Sequence, residues 1–538
     1  MRVSAVLLAL FLIGCGGGGG EESARVPCAQ IQGTDVSLFP PYLSESDPSD
    51  PLMVYQWHLQ NFGQKVGERT ASITGGDINI PQDYTGRGVT IAIVDTGVDE
   101  THPDLKANHN RYASWNYIKG IASPYPSVTD QECAHGTMVA GIAAATGNNY
   151  LGVRGVAPNA YWAGLNMANN ENGECKLYVR AEALNHTTID IFSNSWGAET
   201  PQSLANITPL LEVIQEGAIN GRSGKGAIYV FAAGNGRQKK HNANYFGEQN
   251  NRYTISVAAL NSDGRYSSYS NPGSNVLISA YGGLDSSSPG IVTTDISGCD
   301  KGMSSANDRP IMHHALNKYG EYTHNMNGTS AATPMVSGVV ALMLEANPNL
   351  TWREVRYILA KTARRNDPSN ADWKPNGAGL WVNHNYGFGV VDAGSAVAKA
   401  RDHRNSLPLL GASKEASQTI TLSGSIAKDA NRTITINVNK SENLYIEFVD
   451  LTIEMDIGNN RKNNITLTSP KDTVSVLVEE NYTTGASFYR DGRAFGSVRY
   501  LDEQINGDWK VEIKNKSGVD YNQVNAKFTL TFYGRAIK

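Results

Sequence analysis

"NMNGTSAATPMVSGVVALMLEANPNLTW" (residues 325–352) joins a polar, glycine-bearing turn directly to a run of small and branched apolar residues. The run 335–344 is apolar on every face, so as a helix it must be enclosed by protein. It is too short to span a bilayer. Pro334 is tolerated only in the first helical turn, where its missing N–H is no loss. That sets Ser330 at or just before the helix N-terminus, where free backbone N–H groups and the positive dipole end favour a developing anion. A serine so placed either caps the helix or presents a nucleophile. The rest of the chain decides between them.

Working outward, "GVTIAIVDTG" (88–97), "IDIFSNSWG" (189–197) and "GAIYVFAAGN" (226–235) read as strands buried on both faces. Between them "HGTMVAGIAAAT" (135–146), "YVRAEALNH" (178–186) and "ANITPLLEVIQEGAIN" (205–220) read as helices. Strands alternating with helices predict an α/β fold, a parallel sheet covered by helices on both faces. "TWREVRYILAKTA" opens with a capping box, Thr351 with Glu354 three residues on. After about residue 400 the pattern changes. "RDHRNSLPLLGASKEASQ" is charged and unpatterned, which suits a linker. Beyond it "VDLTIEMDI" (449–457), "ITLTS", "TVSVLV", "WKVEI" and "FTLTF" alternate with period two, which predicts a separate antiparallel sandwich or barrel.

In an open parallel sheet, ligands gather outside the carboxyl ends of the strands. Asp95 ends the first buried strand, and Asn235 ends "YVFAAGN". "SNSWG", with Ser195, Trp196 and Gly197, can offer a strand edge to an extended substrate. His135 and Ser330 each precede a helix of small residues. Singly, Asp95 is a turn residue, His135 a core histidine and Asn235 a left-handed turn residue. Together they supply an orienting acid, a base, an oxyanion donor and a nucleophile.

The chain has 538 residues, enough for two or more domains. With 40% hydrophobic and 18% charged residues it is ordinary globular protein, and a formal net charge of −5 gives no reason to expect nucleic-acid binding. Met1-Arg2 and the apolar stretch 3–13 form an export signal rather than a membrane span. "LIGC" then resembles the bacterial lipobox, whose cysteine, Cys15 here, is lipidated, with 16–20 as a flexible glycine tether. Four cysteines remain: Cys28, Cys133, Cys175 and Cys299. In an oxidising compartment they imply two disulfides, with three possible connectivities.

"VDTGVDETHPDL", "AHGTMVAG" and "GTSAATPMVSG" resemble the three active-site blocks of the subtilases, in that family's order Asp, His, Ser. The order separates the chain from the α/β-hydrolases, where Ser comes first. "LEANPNLTWREVR", "IVTTD" and the β-rich tail look like the kexin and furin-like proprotein convertases. The resemblance implies a subtilisin-like parallel sheet, a jelly-roll-like P domain, and a serine endopeptidase acting on proteins or peptides. It divides the chain into a signal peptide (1–14), an anchored tether and N-terminal segment (15–45), a catalytic domain (46–402), a linker (403–410) and the P domain (411–538). It also implies the roles of Asp95, His135 and Ser330 as triad and Asn235 as oxyanion donor. A structural calcium ion follows from it too, held by Asp50, Asp104 and Asn149 with backbone carbonyls near Thr146, Leu151 and Val153.

The chain departs from that pattern in its specificity pocket. Glu132, Glu174 and Glu199 match acidic positions, but a pocket acid falls on Thr200 and a second near Tyr245 or Phe246. Thr96 follows Asp95 where the convertases carry an acid, and Arg180 occupies another acidic position. Lys or Arg before the scissile bond remains the expected preference, with a broad or apolar profile as its rival. Asp50 lies 35 positions after Cys15 (50 − 15), and no folding propeptide fits there, so a separate helper protein or an unusually self-sufficient P domain is expected. The implied location is the bacterial envelope, by lipid anchor at the outer membrane or released. Two other readings are a catalytically inactive binding lipoprotein and an esterase or amidase with the same triad.

Overall fold

The computed structural model describes residues 49–126, 133–167, 177–201, 204–305, 317–404, 410–455, 462–480, 489 and 492–537. Cys15, Cys28, Glu132, Glu174 and Cys175 lie outside the described residues. Cys133 and Cys299 are both disulfide-bonded.

A short hairpin, β1 (Lys65–Val66) with β2 (Arg69–Thr70), precedes the main sheet. The sheet takes β3 (Thr90–Asp95), β4 (Trp115–Asn116), β5 (Tyr161–Asn166), β6 (Ile191–Asn194), β7 (Ile228–Ala232), β8 (Thr254–Leu260) and β9 (Val276–Tyr281). Their order is β4-β5-β3-β6-β7-β8-β9, all parallel. The chain therefore reverses its direction of travel across the sheet at β3, and the crevice at that switch point lies just beyond Asp95.

Both faces of the sheet are covered, as its apolar strands require. Helices α1 (His135–Ala144), α2 (Leu177–Ala183) and α3 (Leu204–Gly224) cross between strands. After β10 (Ile291–Thr294), a short α4 (Gly302–Ser305) and β11 (Tyr322–Met326) lead into α5 (Thr329–Ala346) and α6 (Trp352–Thr362). A second small hairpin, β12 (Lys374–Pro375) with β13 (Trp381–Val382), and α7 (Ala393–Asp402) complete this body. Ile91 and Ile93 of β3 share one core with α1 and α5, whereas Ala92 and Val94 share another with α2 and α3. One strand thus feeds two cores through alternate side chains. The predicted capping box of α6 is present, Thr351 N donating to Glu354 Oε2 at 2.8 Å.

Helix α5 is long and apolar enough to cross a membrane by composition, yet it is 94% buried inside the protein. It also corrects the reading of Pro334, which is the sixth helical residue rather than part of the first turn. Proline there removes the N–H that would bond the carbonyl of Ser330. That carbonyl accepts from Ser195 Oγ instead, at 2.9 Å. Its partner comes from the sheet, so the helix continues without an unsatisfied group.

The remaining strands are β14 (Ser413–Ile426), β15 (Asn431–Val438), β16 (Leu444–Met455), β17 (Asn463–Thr468), β18 (Val474–Val478), β19 (Arg493–Ser497), β20 (Gly507–Asn515) and β21 (Tyr521–Ala536). They form two four-stranded antiparallel sheets, β14-β21-β16-β19 and β15-β20-β17-β18. Buried Trp509, Phe528 and Phe532 lie in the core of this sandwich. Tyr245 and Phe246 of the α/β body belong to the same core, so the predicted pocket position near them is occupied by domain packing. Asn244 is the polar pin beside them. Its Nδ2 donates to Gly496 O at 3.1 Å, and its Oδ1 accepts from Gly496 N at 3.0 Å. Asn250 adds a second pair, Nδ2 to Ala494 O at 2.8 Å and Gly496 N to Oδ1 at 2.8 Å.

Candidate active site

Asp95 and His135 pair at the carboxyl end of β3, and Ser330 and Asn235 meet the carboxyl ends of the neighbouring strands β6 and β7 through the first turn of α5. Asp95 is buried at the end of β3, and His135 opens α1. Their side chains meet through His135 Nδ1 and Asp95 Oδ1 at 2.8 Å. With a carboxylate as acceptor, Nδ1 carries the proton and Nε2 presents its lone pair. Burial lowers the imidazole pKa, but the charge and hydrogen bond of Asp95 raise it, and the net shift is upward. Thr96 is the clamp that brings helix and strand together. Its hydroxyl donates to Cys133 O and accepts from Gly136 N, both at 3.0 Å, so it holds the backbone on either side of His135's entry to the helix. Gly136 makes that approach possible, since a Cβ there would stand 2.1 Å from Gly97 O.

Ser330 is the second residue of α5, and its hydroxyl does not cap the helix. It donates to Ser195 O at 3.1 Å. The cap reading is thereby removed, and the Ser330 hydroxyl stands at the edge of the "SNSWG" segment. Asn235 is exposed, and its amide is oriented by Thr329. Thr329 N and Thr329 Oγ1 both donate to Asn235 Oδ1 at 2.9 Å. Two donors on one oxygen fix which end is the carbonyl, so Nδ2 is the end left to donate. Ser330 N is a first-turn donor of α5 with no intrahelical partner. A Cβ added to Gly328 would sit 3.1 Å from Asn235 Nδ2 and 3.5 Å from Ser330 N. Two N–H donors therefore flank a space that this glycine, at φ +89°, leaves open for an oxyanion.

The other predicted substrate contacts divide. Trp196 is buried, with its ring at 5.3 Å and nearly perpendicular to Phe231 and with Arg180 over its face at 5.0 Å. Its side chain belongs to the core, and only the backbone of that segment can serve a substrate. Glu199 and Thr200 are exposed beyond Gly197. Sequence reasoning missed Thr96, Thr329 and Gly328 as positioning residues. Thr329 and Gly328 lie inside the quoted "GTSAA" motif, while nothing local marks a threonine after Asp95 as a clamp.

The predicted calcium ligands also converge. Asp50 and Asp104 are fully buried carboxylates, and Asn149 Nδ2 donates to Asp104 Oδ1 at 2.7 Å. Burial, with some repulsion from Asp50, raises the Asp104 carboxyl to about 7. Asp50 Oδ2 has no hydrogen-bond partner, and its nearest cation is Arg154 Nη1 at 3.5 Å. Two like charges buried together with an orphaned oxygen suit a hard cation. Among the described residues no group of three or more His, Cys, Asp or Glu side chains forms a metal cluster. A cation at this place would have to draw its further donors from amide and carbonyl oxygens, and Asn149, Thr146, Leu151 and Val153 lie in the adjoining loop.

Residues 86–389 match the Subtilase family, and residues 446–532 match the Proprotein convertase P-domain. Human neuroendocrine convertase 2 is 33% identical over 509 residues, covering 90% of this chain and 74% of the relative. Human furin is 30% identical over 501 residues, covering 91% of this chain and 58% of furin. The serine protease of Aeromonas sobria, solved in complex with the chaperone, matches with a TM-score of 0.78 at 26% identity, over 95% of this chain and 99% of that one.

The space beside Gly328 gives a direct test. Asn235→Ala should fold and still bind peptide, since the side chain is exposed, but it removes one of the two N–H donors that flank this space. Turnover should fall by about 10²–10³-fold with KM little changed, as when an oxyanion donor is lost. Steady-state kinetics on a peptide amide check this, and unchanged kcat would show that no oxyanion forms there.

Proposed function

We propose that this chain, which belongs to the subtilase family and is a subtilisin/kexin-like serine endopeptidase, cleaves with Ser330 as nucleophile, His135 as base, Asp95 as orienting acid and Asn235 as oxyanion donor. The observation that carries the reading is the 2.8 Å bond between His135, which opens α1, and buried Asp95 at the end of β3. A substrate strand lying along residues 195–197 competes for Ser195 O and so frees the Ser330 hydroxyl to turn to His135 Nε2. As Oγ attacks the scissile carbonyl, Nε2 takes its proton, and Asp95 stabilises the imidazolium. Asn235 Nδ2 and Ser330 N hold the oxyanion. Nε2 then gives the proton to the leaving amine, and water repeats the path to release the acid. The residue before the scissile bond is Lys or Arg in this reading, in keeping with the convertase relatives.

Ser330→Ala and His135→Ala should each lower turnover by about 10⁶-fold, since the three groups act as a unit. Because Asp95 raises the His135 pKa, activity should fall as acid protonates Nε2 at a pH above that of an ordinary histidine. Asp95→Asn should move that acid limb to lower pH and cost about 10⁴-fold in turnover. A pH–rate profile and active-site labelling with a fluorophosphonate read both. Full hydrolysis by Ser330→Ala would end the assignment.

The proposal includes a calcium ion held by Asp50, Asp104 and Asn149 with the carbonyls of Thr146, Leu151 and Val153. It supplies no chemistry to cleavage but ties the 146–153 loop to the start of the domain. Chelation should lower the melting temperature, because an ion bound only by the folded state stabilises it by mass action. An unchanged melting curve in excess chelator, with no bound metal by elemental analysis, would refute it.

Export, lipid anchoring through Cys15 to the bacterial envelope, and a separate folding helper complete the reading. The helper draws support from the chaperone found with the Aeromonas sobria protease. Expressing Cys15→Ser without added partners tests both. Anchoring requires that this variant leave the membrane fraction. The helper requires that it fail to label with fluorophosphonate until a partner is supplied.

A further inference from the structure

We propose that Glu248 is the acid that selects a basic side chain before the scissile bond, an assignment that rests on the serine-peptidase reading above. The two positions at which such an acid is expected by resemblance are unsuited to the task. Thr200 is exposed beyond the substrate segment, and Phe246 is packed into the core of the C-terminal sandwich.

The crevice itself is set by the sheet. Strands β6 and β7 are parallel neighbours, with Asn194 opposite Phe231. Their continuations, residues 195–198 and 233–235, leave the sheet side by side and form two walls. Ser195 ties the first wall to Ser330, and Asn235 ties the second to Thr329. A carbonyl carbon attacked by Ser330, with its oxygen toward Asn235 Nδ2, must send the preceding side chain between those walls.

Residues 248 and 249 bond to both sides of this arrangement. Gln249 Nε2 donates to Ala232 O at 3.1 Å, at the end of β7 where the second wall begins. Glu248 Oε1 accepts from Ala198 N at 3.0 Å, on the first. Both side chains are buried, at 1% and 2% exposure, and Glu248 Oε2 and Gln249 Oε1 have no hydrogen-bond partner. Gly197, on the substrate segment, lies directly against them. A Cβ at Gly197 would stand 2.8 Å from Gln249 Nε2 and 3.9 Å from Glu248 Oε1. A buried carboxylate oxygen lacking a partner is costly. A guanidinium or ammonium group entering past Gly197 completes its coordination with a charge-assisted hydrogen bond. An apolar side chain leaves it bare. Arginine can bridge Glu248 Oε2 and Gln249 Oε1 with its planar fork, whereas lysine reaches as a point charge, so arginine should be preferred.

The test uses full-length enzyme and peptide substrates that differ only in having Arg, Lys or Leu before the scissile bond. Glu248→Gln retains an oxygen for Ala198 N and loses the charge. It should lose about 10²–10³-fold in kcat/KM toward Arg and Lys, as when one partner of a buried ion pair is removed. Its kcat/KM toward Leu should stay within about threefold, and Ser330 should label with fluorophosphonate at the wild-type rate. A Glu248→Gln enzyme that keeps its Arg preference overturns the proposal, as does one that loses all three substrates equally while still labelling. Should the variant not fold, wild-type enzyme gives the second arm. Benzamidine, a flat cation, should compete with the Leu substrate, and absence of competition overturns the proposal. Wild-type enzyme that labels at Ser330 but cleaves all three alike sinks the pocket assignment alone. Failure to label would instead sink the peptidase reading beneath it.

Discussion

Two hydrogen bonds of opposite sense join Ser195 and Ser330, each hydroxyl donating to the other's carbonyl. This pair fixes how closely the nucleophile's helix approaches the carboxyl end of the sheet. It exists because Pro334 lacks an N–H and leaves the Ser330 carbonyl available outside the helix. The substrate edge, the oxyanion space and the crevice between the two walls all take their dimensions from that contact. Ser337 Oγ repeats the tie two turns further on, donating to Ser193 Oγ at 2.9 Å. A helix held at two points to one strand has little freedom to rotate, which is what a reactive hydroxyl requires.

Small residues do the complementary work. A Cβ on Gly338 would stand 2.5 Å from Val156 Cβ, and one on Gly141 would stand 2.2 Å from Thr294 Oγ1. Helices α1 and α5 therefore sit deep against their neighbours, and His135 reaches Asp95 without strain on either strand or helix. Thr96 then closes the arrangement by bonding the backbone around His135. In this position a second acid would place another negative charge beside the His135–Asp95 pair, whereas threonine supplies only a neutral clamp.

Much of this was legible in the residues. Strands β3, β6 and β7 carry unbroken apolar runs ending in Asp95, the "SNSWG" segment and Asn235, and a period-two tail leaves no doubt about a second, antiparallel body. Strands β8 and β9 were not read, because "YTISVAALN" and "VLISAY" lie among Asn, Ser and Gly residues that give no helical partner to frame them. The position of Pro334 was misread since a rule about helix interiors assumes that the displaced carbonyl has nowhere else to go. Here it had Ser195. Glu248 carried no local signal at all. Its neighbours "FGEQNN" have neither period nor motif, and its significance depends on its bond to Ala198, 50 positions away, and on that of Gln249 to Ala232, 17 positions away.

Residues 242–250 face two ways. One side, through Asn244, Tyr245, Phe246 and Asn250, is built into the sandwich. The other, through Glu248 and Gln249, bonds to both sides of the crevice. A substitution that shifts Gly496 or its neighbours in the sandwich displaces the backbone that aims those two side chains. The C-terminal body is thus mechanically part of substrate choice, although it contributes no group to the cleft. Two such bodies cannot drift apart in evolution one at a time. A lineage that exchanges its sandwich inherits a new cleavage preference along with it, and chimaeras between relatives should be judged by what they cut as well as by whether they fold.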